Sequence, residues 1–111
     1  MAFRYNLVHH PEASQDYHEA FEFFQRMDDD LAALFADDFR TALRGIASGR
    51  ARSHLYASGH ALRWVKLKRF SHKIFFEPDG EDTRLVLAVM SGRRDPSLIK
   101  KVLGSRSDDE K

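Results

Sequence analysis

The chain of 111 residues contains no cysteine. That excludes a disulfide framework and any thiolate-bound metal, and it suits a reducing compartment. No apolar run reaches the length of a membrane span, and the opening MAFRYNLVHHPEA holds no apolar stretch of signal-peptide length. A soluble, cytoplasmic protein without a membrane partner is expected. There are three prolines and six glycines, with no repeat and no low-complexity tract, so a single domain over residues 1–106 is expected, followed by a flexible acidic tail at 107–111. Motifs for an NTPase, a zinc site or a Ser-His-Asp hydrolase are missing. No metal, cofactor or small-molecule ligand is expected. Tyrosine (5, 17, 56) and histidine (9, 10, 18, 54, 60, 72) are both absent beyond residue 72.

What is present supports a packed core. The apolar fraction is 42% and nine residues are Phe, enough for a single domain of this length to fold without staples. The formal net charge of +1 hides a division. Residues 1–49 carry nine acids and four bases, a net −5, whereas residues 50–106 carry thirteen bases and five acids, a net +8. Charge separated in this way points to an anionic partner or to a dipolar fold whose charges face water.

Periodicity divides the chain into elements. FRYNLV (3–8) alternates as a short strand. From Pro11, the residues Ala13, Tyr17, Ala20, Phe21 and Phe24 recur at helical spacing, with Glu12, Asp16, Glu19 and Glu22 on other faces. A second amphipathic helix is expected over 28–49, capped by the Asp28–Asp30 run and stopped at Gly49. The two should form an antiparallel hairpin. Residues 50–60 are expected to be a loop. Strands follow at about 61–68, 73–77 and 84–91, the last apolar on both faces and therefore central. Asp95 and Pro96 start a short helix through Leu98, Ile99, Val102 and Leu103, and GSRSDDEK is expected to fray. The order β-α-α-β-β-β-α makes an α+β fold, a small antiparallel-rich sheet with a helical hairpin on one face.

This order carries Pro11-Glu12-Ala13, Arg63 in a basic-aromatic strand, RFSHKIFF ending at Phe76, and a closing LAVMSGRRDP with Arg94-Asp95-Pro96. The combination, over about residues 4–103, resembles the RelE/ParE superfamily of bacterial toxins from type II toxin–antitoxin pairs, used in plasmid stabilisation. RelE-like members are ribosome-dependent mRNA endonucleases, which need a base, cations for the developing phosphorane charge and an acid. Their C-terminal Tyr or His has no counterpart here. His72 titrates in the right range, but is expected in a solvated turn. The resemblance therefore implies the ParE-like branch, which inhibits DNA gyrase without being an enzyme and is neutralised by a ParD-like antitoxin.

Residue roles follow from that resemblance. Arg93, Arg94, Lys100 and Lys101 are candidates for engaging the target. Alternation along the basic strand puts Val65 and Leu67 toward the hairpin, with Arg63 and Arg69 at the ends of that row. Trp64, Lys66 and Lys68 then lie on an open face, and Arg63, Trp64, Lys66 and Lys68 are the candidates for binding the antitoxin. The alternative nuclease, acting on ribosome-bound mRNA, would use Lys66, Lys68, Arg69 and Arg94.

Overall fold

The computed structural model describes residues 3–56 and 61–109. Its elements are β1 (Asn6–His9), α1 (Pro11–Met27), α2 (Asp29–Ser48), β2 (His54–Leu55), β3 (Arg63–Lys66), β4 (His72–Pro78), β5 (Thr83–Ser91) and α3 (Pro96–Asp109). The fold is α+β, as expected, with one five-stranded sheet in the order β1-β5-β4-β3-β2. β5 runs parallel to β1 and antiparallel to β4; β3 and β2 continue the antiparallel ladder.

Each helix start has a local cause. His10 caps α1 by accepting the Glu12 amide at Nδ1 (3.1 Å), and Pro11 occupies the first turn, where its missing N–H costs nothing. Asp28 caps α2 through the Asp30 amide at 2.7 Å. Gly49 ends α2 in the left-handed region at φ 75°, a conformation that a side chain would strain.

The sheet separates two apolar layers. On one face the α1–α2 hairpin packs Ala13, Phe35 and Ile46 against Val65, Leu67, Ile74, Phe76 and Val86. Phe35 is fully buried and its ring meets Tyr17, Phe24 and Phe70 at centroid distances of 5.7, 5.1 and 5.2 Å. On the opposite face, Ile99 and Leu103 of α3 cover Phe75, Leu85, Leu87, Ala88 and Met90. Every residue of β5 from Leu85 to Met90 is buried, which is why the sequence there shows no alternation.

Three expectations need correction. The loop expected over 50–60 contains β2, whose two residues pair with Arg63 and Trp64; residues 57–60 lie outside the described part. A two-residue strand leaves no periodic signal to read. The sheet face beneath Trp64, Lys66 and Lys68 is not fully open, because α3 occupies its β4–β5 side. The stretch from Gly104, expected to fray, stays helical to Asp109; of the expected tail, residues 110 and 111 lie outside the described part.

The reason for that helical extension lies 90 residues earlier. Arg106, only 8% exposed, donates from both terminal nitrogens to the Asp16 carboxylate at 2.5 and 3.1 Å. It also donates to the Leu87 carbonyl at 3.1 Å, while Asp16 accepts the Val89 amide at 3.0 Å. The register explains why those backbone groups need side-chain partners. Phe75 faces Ala88 and Phe76 faces Val86, so Leu87 is an extra residue bulged out of the ladder. β1 has already ended at His9, and the ion pair satisfies the strand edge where β1 no longer runs. Ser107 adds a hydrogen bond to Glu77 at 3.1 Å.

Candidate interaction surface

The basic strand divides its charges between two faces and several jobs. Arg63 points to the hairpin side, where Nε donates to the Ser53 hydroxyl at 2.6 Å and a terminal nitrogen to the Ser53 carbonyl at 3.2 Å. Trp64 lies on the α3 side, its indole stacked on His54 at 4.4 Å with the Lys73 ammonium 4.2 Å above the ring. Arg63 and Trp64, candidates for one antitoxin surface, therefore face opposite sides of the sheet.

Lys66 faces Lys73 across the ladder, an arrangement of like charges that costs stability unless the ammonium groups diverge. They do diverge. Lys66 Nζ turns to the carbonyls of Leu67 and Phe70, both at 3.0 Å, and ties the β3–β4 turn together. Lys68 is exposed.

Arg69, itself half-exposed, is paired with α2. Its guanidinium donates to Asp38 at 2.9 and 2.7 Å and to Asp37 at 3.3 Å, and its own amide reaches the second Asp38 oxygen at 2.7 Å. Burial pushes the Asp38 carboxyl up, but the hydrogen bonds and charge of Arg69 outweigh it and hold the group below the ordinary value of 3.8. This pair anchors the β3–β4 turn to α2.

His72 departs from the sequence expectation. It is the first residue of β4, half-buried, with its ring edge-on to Phe24 and Phe35 at 5.7 and 5.1 Å. Its Nδ1 is buried with no hydrogen-bond partner, and burial lowers its pKa below 6.5. Because the folded chain resists protonation there and the unfolded chain does not, stability is lost as pH falls from 6.5 through the depressed folded value. His72→Phe is expected to remove that part of the pH dependence and to hold or raise stability at pH 7.5 by about 1 kcal/mol. Urea unfolding at pH 7.5 and 5.5 checks it. His9 is shifted in the same direction by burial and is common to both proteins, so the difference isolates His72.

The second basic cluster is differently placed. β5 ends at Ser91, and the Gly92 amide donates to the Ser71 carbonyl at 2.9 Å. A Cβ on Gly92 would lie 2.7 Å from that oxygen, too close without backbone movement. Gly92→Ala is expected to cost about 1–3 kcal/mol, read as a lower thermal midpoint. Beyond it, Arg93 and Arg94 are exposed on the turn, and Lys100 and Lys101 are exposed on α3. Asp95 caps α3, accepting the Ser97 hydroxyl and amide at 2.7 and 2.8 Å; these bonds lower its pKa below 3.8. Among the described residues, the side chains of the four cations make no ion pair or hydrogen bond; the Arg93 amide donates to the Ser91 hydroxyl at 3.3 Å.

Sequence reasoning did not find the roles of Asp16, Asp38, Ser53 and Arg106. All four act through partners distant in sequence, which periodicity does not register. Among the described residues there is no group of three His, Asp or Glu that could hold a metal, and no helix is long and apolar enough to cross a membrane.

The geometry defines a small three-layer α+β domain with exposed cations on the turn after β5 and on α3. The chain belongs to the ParE toxin family of type II toxin–antitoxin systems, parDE, whose family model matches residues 7–96. Membership implies a toxin component with an antitoxin as partner. The match begins within β1 and ends at Pro96, so α3 lies almost wholly beyond it. No curated protein matches the chain.

Proposed function

We propose that the chain is a non-enzymatic toxin that inhibits DNA gyrase, in the cytoplasm, and is neutralised by a ParD-like antitoxin. The observation that carries this reading is that two of the four cations of the nuclease alternative, Lys66 and Arg69, are already engaged within the chain. Lys66 and Arg69, which a ribonuclease would need at the phosphate, are bound to backbone carbonyls and to Asp38 and Asp37. Arg93, Arg94, Lys100 and Lys101 are exposed and available to a partner, and cations on a protruding turn steer and orient association with an anionic surface. The absence of Tyr and His after residue 72 removes the usual acid–base group of the nuclease branch.

The test is pulse-labelling of DNA and protein synthesis immediately after the toxin is induced without its antitoxin. DNA synthesis is expected to stop first, with a rise in DNA-damage signalling. Replacing all four exposed cations by Ser should abolish that arrest while leaving the thermal midpoint unchanged. Arrest of protein synthesis first would overturn the gyrase reading.

A further inference from the structure

Two adjoining depressions lie where β1 meets the C-terminal half of α2. The inner one, about 170 Å³, is walled by Tyr5, Gly49, Ser53, Arg63, Phe76 and Arg84. The outer one, about 300 Å³ and more open, is lined by the apolar Phe3, Leu7 and Leu43 and by the exposed Arg40 and Arg44. Tyr5 lines both. Among the described residues, four arginines and no acid line the pair.

The inner arginines are held in place with donors to spare. Arg63 spends Nε and one terminal nitrogen on Ser53. Arg84 lies 3.7 Å over the Tyr5 ring and spends one terminal nitrogen on the carbonyls of Thr83 and Gly80. Each keeps a terminal nitrogen without a partner among the described residues. Guanidiniums fixed in this way are preorganised for a carboxylate, whose two oxygens accept from planar N–H pairs. Of the outer arginines, Arg40 has a weak exposed partner in Asp37 at 3.9 Å, whereas Arg44 has none among the described residues.

We infer that this groove seats an acidic, apolar-anchored segment of the antitoxin, with one carboxylate lodged between Arg63 and Arg84 and apolar side chains on Phe3, Leu7 and Leu43. The inference rests on the antitoxin partnership that family membership implies. Charge complementarity selects the occupant: a net-acidic peptide meets four cations and an apolar lining, for which a phosphodiester backbone has no use. The surface is separate from Arg93, Arg94, Lys100 and Lys101, none of which lines it. Neutralisation through this groove would leave those cations uncovered by the seated segment.

The full chain, labelled for amide NMR, is titrated with an acetylated peptide alternating Glu with Leu and Phe, with its Gln counterpart, and with inorganic phosphate. The acidic peptide is expected to shift the amides of Tyr5, Gly49, Ser53 and Arg84. Binding should weaken by roughly tenfold with the Gln peptide and by a similar factor in Arg84→Gln or in the surface variant Arg44→Gln, the size of one lost charge-assisted pair. Shifts with phosphate alone would make the notch a free-anion site and overturn the proposal. Silence with all three would leave Arg63 and Arg84 with their contacts to Ser53, Thr83, Gly80 and Tyr5 only, and would also overturn it. Purified antitoxin separates the two levels of argument. If it binds wild type and both Gln variants equally, the groove is wrong and the partnership stands. If it does not bind the wild type, the partnership itself fails.

Discussion

Replacing Arg106 by Ala is expected to lower folding stability by about 3–5 kcal/mol, the usual cost of stranding one member of a buried ion pair. The side chains of Arg106 and Asp16 are 10% and 15% exposed, so water cannot replace the lost partner. The substitution also frees the Leu87 carbonyl at the bulge, adding an unsatisfied acceptor. Asp16→Ala should cost a similar amount or somewhat less, because it leaves Arg106 only the exposed Glu12 at 3.8 Å and the Leu87 carbonyl, and it deprives the Val89 amide of its acceptor. The double variant should be little worse than either single one, since the second substitution removes a charge already unpaired. Urea unfolding of all four proteins reads this directly. A loss under about 1 kcal/mol for Arg106→Ala would show that α3 does not lock β5.

The second large effect is at the β3–β4 turn. Arg69→Ala leaves Asp38, whose side chain is 3% exposed, as a buried carboxylate without its cation. A clear loss of stability at pH 7 is expected, smaller than for a fully buried pair because the Arg69 side chain is 45% exposed. In the wild type, Asp38 titrates below its ordinary 3.8, so its contribution is present above that pH and is lost as pH falls through the folded value. In the variant the guanidinium's share is gone and only the residue-69 amide and the Lys68 charge still oppose burial, so the pKa rises toward or above 3.8 and protonation weakens the variant less than the wild type. The stability difference should therefore shrink as pH falls below about 4. A difference that is constant between pH 7 and pH 3 would exclude Asp38 as the source.

How much of this was legible follows from the range of each interaction. The two helices were readable because Tyr17, Phe24, Phe35 and Ile46 recur at helical spacing, and the hairpin then followed from the short connection. β5 was readable because a run such as RLVLAVM has no polar face to expose. The split of the basic strand into Val65 and Leu67 on one side and Trp64 and Lys66 on the other came from alternation alone. By contrast, Asp16 read as one more solvent-facing acid of α1, and Arg106 as part of a fraying end. Neither residue carries a local mark of its partner. His72 was placed in a turn because strand boundaries slip by a residue or more in any pattern reading. Among the candidate site residues, the sequence supplied the list but not the commitments: Lys66 and Arg69 look as free in the sequence as Arg93 and Arg94.

The parallel pairing of β1 with β5 has a consequence during synthesis. Asn6 sits opposite Thr83 and His9 opposite Val86, so the first strand made has no ladder partner until nearly the last has been translated. The helical hairpin forms from neighbouring chain and needs no such delay, but its apolar stripe meets the sheet only once β3, β4 and β5 exist. A nascent chain stalled before β3 therefore holds a hairpin with a bare aromatic face and no sheet to shield it. The layout makes closure of the sheet a late step of folding.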